Sequence, residues 1–351
     1  MSRMEQHVGS SNHEDADKQP TINSKSIMKT KAMFISAAAF CGAALSILTA
    51  ADNGIPPTVE AELRVWVEQG DPVFYSGARP SLVKLPSDFD PSKQHALLVV
   101  LHPFGRSAAS LMTDLWRLEL LVEGRRLIIV APEGTVHPFF GVQFWNAMPW
   151  CCGFEPIFGP MADDSSFLAQ LIDDLLAAYP IDLNRVYVAG ASNGGAMAHR
   201  FAIDHPEKVA AIVSHGGVLN PPAISPFEPV SVLHIHGTAD SIVNYEGGQI
   251  LPDWDFTQYP GARDSAAYWA ELAQCNGPLS TYGKLLDLDE LVPGSETERQ
   301  RYRGCREDIF VELWTMHGSE HDLISGVMSE KEGTTLFAVA MWDWLRTKKK
   351  L

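Results

Sequence analysis

Apolar residues gather in this chain in short unbroken runs, separated by stretches where they recur every three to four positions. Ala96–Leu101 and Arg126–Val130 are nearly continuous in Leu, Ile and Val and end in turn residues, which is the pattern of strands covered on both faces. Arg185–Val188, Ala210–Ser214, Val230–Ile235 and Val311–Trp314 predict further short strands, and Arg64–Val67 and Ser81–Leu85 read as edge strands. Between the runs the period lengthens. In Asp164–Tyr179 the apolar residues Phe167, Leu168, Leu171, Ile172, Leu175 and Leu176 form one helical stripe. Helices are also predicted at Gly194–Asp204, Ala262–Gln274 and Thr334–Leu345, the last followed by Lys348–Lys350, charges that suit a helix C-terminus. Strands alternating with helices in this way predict an α/β chain with a mostly parallel central sheet and helices on both faces. The stretch 249–304 breaks the rhythm and reads as an insertion that caps the sheet or leaves it as a loose excursion.

The N-terminus follows neither pattern. Residues 1–27 are polar and charged, and their composition predicts disorder. Lys29 and Lys31 then precede an uncharged Ala-, Phe- and Leu-rich run, so 28–51 has the basic and apolar regions of a secretory signal, with Thr49 and Ala51 small enough to flank a cleavage site. The run is also long enough to act as an uncleaved anchor. The remainder, 52–351, is expected to form a single domain, secreted or periplasmic, without stable membrane association once the signal is removed.

A net charge of −16 argues against a nucleic-acid partner, because phosphates attract basic surfaces. Of the five cysteines, Cys41 lies in the signal. An even number remaining in an exported chain suggests disulfides, with Cys275 expected to bond Cys305 across the insertion. The adjacent Cys151 and Cys152 form a vicinal bond or stay as buried thiols; the sequence leaves both open. There is no C-x-x-C and no histidine pair near the cysteines, so no zinc site is implied.

Candidate chemistry begins at Gly190-Ala-Ser-Asn-Gly194, a G-x-S-x-G between a predicted strand and a predicted helix. A serine in so tight a turn is backbone-strained, and only small residues fit two positions either side. A plain strand-to-helix loop would look the same, so partners decide. A serine hydroxyl needs a base, and the base an acid that orients it. Both follow in that chain order: Asp240 where Val232–Asp240 runs from a strand into a polar loop, and His321 in the loop after the last strand. His317 is the competing histidine, but it abuts the strand end. An oxyanion would need two N–H donors, expected from the backbone of Asn193, directly after the serine, and of Phe104 in the loop His102–Ser107. Phe139, Phe140, Phe144, Trp145, Trp150 and Tyr245 are expected to line an apolar pocket, Trp145, Trp150 and Tyr245 most directly.

From about Leu98 to His321 the chain resembles secreted α/β-hydrolase esterases of the polyhydroxybutyrate depolymerase-like and feruloyl esterase-like group. The matching pieces are Leu101-His102, Trp145 with Cys151-Cys-Gly153, Asp163-Asp164 before Phe167, Asp182–Tyr187 leading into the serine motif, His236–Asp240 with Val243, Tyr245 and Gly247-Gly248, and Gly318 three residues before His321. The resemblance implies an α/β-hydrolase fold and a serine carboxylic-ester hydrolase with Ser192, Asp240 and His321 as its triad, Phe104 at the oxyanion position and no metal or organic cofactor. Two departures stand out: Pro103 replaces a glycine of the Leu-His-Gly pattern, and Ser319-Glu-His-Asp-Leu323 replaces the usual surroundings of the histidine. The expected substrate is a feruloyl or other aryl ester or a short-chain ester. A polyester depolymerase is the alternative, and a non-catalytic surface-binding protein on the same fold a more distant one.

Overall fold

The central strands form because their side chains are apolar on both faces. In a computed structural model, which describes residues 55–219, 228–251, 257–306, 308–321, 326–329 and 332–350, every residue of β3 (His95–Leu101) and β4 (Leu127–Pro132) is buried. The elements in chain order are α1 (Pro57–Glu68), β1 (Val73–Ser76), β2 (Arg79–Lys84), β3, β4, β5 (Thr135–Val136), β6 (Gln143–Phe144), α2 (Glu155–Phe158), α3 (Asp164–Ala178), β7 (Ile181–Ala191), α4 (Asn193–Asp204), β8 (Ala211–His215), β9 (Ser231–Gly237), β10 (Gly247–Gln249), β11 (Gln258–Pro260), α5 (Ala262–Leu272), β12 (Ser280–Thr281), β13 (Thr297–Arg301), β14 (Val311–Met316) and α6 (Leu336–Leu345). All described residues fall within the unit Ile47–Leu351. The expected signal and polar extension lie outside the described residues.

Ten strands make one sheet in the order β1-β2-β4-β3-β7-β8-β9-β14-β13-β12. From β4 to β14 the neighbours run parallel, and antiparallel pairs close both ends. Alternate residues of β3, namely Ala96, Leu98 and Val100, join one apolar cluster with Val59, Leu63 and Trp66 of α1 and Phe337, Met341 and Leu345 of α6. Helices α4 and α5 pack on the strands outside that cluster. The parallel arrangement brings the C-terminal ends of β7, β9 and β14 to one edge, where ligands of open α/β sheets bind.

Three expectations are corrected. Arg64–Val67 belongs to helix α1, not to an edge strand. Its buried residues Val59, Leu63 and Trp66 are spaced for a helix, while Val65 and Val67 are more than half exposed; a four-residue window rich in valine hides that period. The expected alternation of strand and helix also breaks early in the chain: the run after β3 forms a short π-helix, Ser110–Leu115, and β4 leads into the β5–β6 hairpin. Finally, 249–304 is woven into the fold: α5 packs on β9 and β14, and β12 and β13 extend the sheet.

Candidate active site

Ser192 stands between the last residue of β7 and the first of α4, at φ 53° and ψ −118°. A non-glycine residue at positive φ is strained, and such strain persists only where the surroundings hold it. Here Ser192 N–H donates to His215 O at 2.7 Å, and Ser192 O accepts from Ala196 N–H at 2.9 Å. A Cβ on Gly190 would overlap the Gly194 carbonyl, and one on Gly194 would overlap the Leu101 carbonyl. The glycines are therefore a steric requirement of the turn.

The histidine and the acid reach this serine from separate loops. His321 Nδ1 donates to Asp240 Oδ2 at 2.6 Å, and its Nε2 lies 2.8 Å from Ser192 Oγ, placed to accept the hydroxyl proton. Asp240 is buried. Its Oδ1 accepts from the N–H groups of Ile242, at 2.9 Å, and Val243, at 2.7 Å, while Oδ2 also faces His236 Nε2 at 3.2 Å. Burial disfavours the charged carboxylate, but the hydrogen bonds from His236 and His321 outweigh it and hold the group below the ordinary aspartate range. His317, the other candidate, is exposed and pairs with Glu298 at 3.2 Å.

The loop expected to complete the site passes directly over the start of α4. His102 Nδ1 donates to Pro103 O at 2.8 Å and its Nε2 accepts from Gly134 N–H at 2.9 Å, a pattern open only to a neutral ring. Burial pushes His102 down to about 4, which keeps it neutral. Trp145 links this loop to the serine turn. Its Nε1 donates to His102 O at 3.0 Å, its N–H donates to Asn193 Oδ1 at 2.7 Å, and its carbonyl accepts from Asn193 Nδ2 at 2.8 Å. Sequence reasoning assigned only the backbone of Asn193; its side chain fixes the turn to Trp145, a contact across 48 residues that no local pattern marks. Phe104 packs its ring edge-on to Phe140 at 5.9 Å and to His137 at 6.5 Å.

The expected pocket residues stand elsewhere. Trp145 and Trp150 are fully buried, the latter against Tyr259 at 5.1 Å. The Tyr245 hydroxyl is 2.8 Å from Thr315 Oγ1. The pocket that opens on Ser192 is lined instead by Pro103, Leu115, Trp116, Ala191, His215 and His321. Aromatic residues close in sequence do not reveal whether their rings face a pocket or the core, and here backbone carbonyls and neighbouring rings claim them. Leu115 and Trp116 escaped notice because they sit at the end of the π-helix after β3. His215, buried at the end of β8, is pushed down to about 3 by that burial and by the neighbouring His321 and His236. Cys275 is bonded to Cys305, as expected, and Cys151 to Cys152, which resolves the alternative left open. Among the described residues no cluster of His, Cys, Asp and Glu has the makings of a metal site.

Comparison with known proteins fits this geometry. Residues 159–253 match the phospholipase/carboxylesterase family. The chain is similar to feruloyl esterase B of Piromyces equi, 26% identical over 250 residues that make up 69% of this chain and 42% of the relative. It is also similar to feruloyl esterase D of Neurospora crassa, 24% identical over 253 residues, 70% of this chain and 74% of the relative. The acetyl xylan esterase from Aspergillus awamori superposes with a TM-score of 0.50 at 16% identity, covering 76% of this chain and 94% of that one. The chain spans less than half the length of the first curated relatives it matches. The fold is that of an α/β-hydrolase.

Proposed function

We propose that the chain is an exported serine hydrolase of carboxylic esters. The observation that carries this reading is the unbroken run Ser192 Oγ–His321–Asp240, at 2.8 and 2.6 Å, set on a strained turn at the sheet edge. Ser192 attacks the ester carbonyl while His321 Nε2 takes its proton and then returns it to the leaving alcohol. Asp240 keeps the imidazole in its Nδ1–H tautomer and stabilises the cation formed on the way. The N–H groups of Asn193, the first residue of α4, and of Phe104 receive the developing oxyanion. Water then attacks the acyl-enzyme by the same proton route and releases the acid.

The pocket favours a compact acyl group. Leu115, Trp116 and Pro103 give the small cavity beside Ser192 an apolar wall that includes one indole. Esters of the feruloyl or acetyl kind are the proposed substrates, on the similarity to the relatives so named. Export rests on the apolar run in 28–51 and on the disulfides.

The test is turnover of p-nitrophenyl acetate, methyl ferulate and a polyhydroxybutyrate suspension by 52–351, with Ser192→Ala beside it. Ferulate or acetate hydrolysis that falls by at least about 10³-fold in the variant is the expected result. Clearing of the polymer would replace the proposed substrate with a polyester. Activity on none of them, or equal activity in Ser192→Ala, would sink the hydrolase reading in favour of a binding protein.

A further inference from the structure

Three histidines that the reaction scheme does not use form a chain of hydrogen bonds ending on Asp240. Trp269 Nε1 on α5 donates to His199 Nδ1 on α4 at 3.0 Å. His199 Nε2 lies 3.4 Å from His234 Nδ1, and His234 Nε2 lies 3.1 Å from His236 Nδ1, both on β9. His236 Nε2 ends the chain, 2.7 Å from Val243 O and 3.2 Å from Asp240 Oδ2. The indole and all three imidazoles are fully buried.

The direction of this chain follows from the donor inventory. An indole N–H only donates, and a neutral imidazole has one donor and one acceptor. Trp269 therefore leaves His199 with its lone pair on Nδ1 and its proton on Nε2. That proton points at His234 Nδ1, which fixes the same tautomer there, and the same step fixes His236. At the far end, Val243 O and the ionised Asp240 accept only, so both ends demand the same polarity. Reversing it would set a lone pair of His236 against two acceptors and leave the indole N–H facing another N–H. Burial keeps the interior rings neutral, His199 pushed down to about 3 and His234 well below the ordinary histidine value.

We propose that His236 is a positioning residue for Asp240, held as an Nε2–H donor by His234, His199 and Trp269. The role rests on the reading of Ser192, His321 and Asp240 as a catalytic triad. Oδ1 of Asp240 accepts two backbone N–H groups, from Ile242 and Val243. Oδ2 accepts from His321 and faces the longer branch of the His236 Nε2–H at 3.2 Å, whose shorter hydrogen bond, at 2.7 Å, goes to Val243 O. With both sites on each oxygen filled, the carboxylate cannot rotate as the positive charge grows on His321. Helix α5, in the segment that read as an insertion, thereby acts on the reaction centre through side chains alone.

Two measurements test this on the purified protein. In ¹⁵N-histidine-labelled protein, two-bond ¹H–¹⁵N spectra distinguish the ring tautomers. His199, His234 and His236, assigned by single substitutions, should all be neutral Nε2–H forms at pH 7. An Nδ1–H form or an imidazolium at any of the three overturns the proposal. For kinetics, His236→Gln keeps an N–H in reach of Asp240 and His236→Leu does not. The Leu variant should lose roughly 10- to 100-fold in kcat, the scale of a hydrogen bond to a charged group. KM should stay within about twofold, and Gln should restore most of the rate. A cooperatively melting Leu variant at full rate, or a Gln variant as slow as Leu, overturns the role. Should the Leu variant fail to fold, the Gln variant and the spectra still decide. Ser192→Ala, run in parallel, separates the two failures: a wild-type protein without Ser192-dependent turnover removes the hydrolase reading and this role with it, whereas wild-type turnover undiminished in His236→Leu removes this role alone.

Discussion

At Gly194 the backbone of α4 passes so close to the end of β3 that a methyl group has nowhere to go. A Cβ there would meet Leu101 O, would lie 2.6 Å from Leu101 C, and would lie 2.7 Å from His102 O. All three are backbone atoms of a buried strand and the loop that leaves it, so they cannot swing aside as a side chain would. Gly194→Ala must either push α4 off the sheet or pull the His102–Ser107 loop away from the serine. Both separate Ser192 from Phe104. The expected outcome is ester turnover below about 1% of wild type, the scale of losing one oxyanion donor, together with a lower melting temperature by calorimetry. A fully active Gly194→Ala would show that the two segments have slack. This constraint is legible in the sequence because G-x-S-x-G states it locally, and Asp240 and His321 are legible from their chain order. His236 and the Asn193 side chain are not, because their meaning depends on partners such as Trp269 and Trp145, which only the folded chain brings near. Trp145 was misread for the same reason: its indole N–H is claimed by His102 O.

Elements were legible where one run of residues carried the whole signal. The parallel strands β3 and β4 are apolar on both faces, β8 and β9 carry apolar runs broken by Ser214, His215, His234 and His236, and α3 has a long unbroken stripe. Helix α1 was not legible, since its valines at 65 and 67 are exposed and only Val59, Leu63 and Trp66 turn inward. Segment 249–304 was the harder case, because its helix and edge strands are separated by polar loops that dilute any period. Its one strong long-range signal is the cysteine pair. Cys275 follows α5 and Cys305 follows β13, with a sequence separation of 30. Backbone hydrogen bonds from Gly277 N–H to Arg303 O at 3.0 Å and from Arg306 N–H to Ala273 O at 2.7 Å flank the bond. Closing a loop of this length in the unfolded chain is worth roughly 3–4 kcal/mol. Replacing both cysteines by serine should therefore lower the melting temperature by on the order of 10 °C. Turnover at 25 °C should be retained, since neither cysteine touches the triad. An unchanged melting temperature would mean that the unfolded chain keeps this loop closed by residual structure, so that the cross-link removes little entropy.

Across the whole molecule, buried histidines make stability depend on pH in a definite direction. Burial pushes His102 and His137 down to about 4 and His199 and His215 down to about 3, and it holds His234 well below the ordinary value of 6.5. In the unfolded chain all of them titrate near 6.5. As pH falls from about 6.5 towards 3–4, the unfolded state therefore takes up protons that the folded state refuses, and stability declines. Glu133 works the other way, since burial pushes it up to about 8 from 4.5. Between those values the folded state holds one proton that the unfolded state has released, so its contribution weakens as pH rises. One carboxyl is outnumbered by the imidazoles below 6.5 and unopposed by them above it, which places the stability maximum close to pH 6.5–7. The net charge of −16 relaxes on acidification, which by itself favours the folded state. That repulsion is spread over the surface and screened beyond roughly 8 Å at physiological ionic strength, whereas the imidazoles are desolvated. Each proton refused corresponds to about 1.4 kcal/mol per pH unit, so the histidine effect dominates. Calorimetry at constant ionic strength should find the highest melting temperature near pH 6.5–7, a shallow fall towards pH 8 and a steep fall by pH 5. A melting temperature that holds level from pH 7 to pH 5 would mean that the buried imidazoles accept protons in the folded protein.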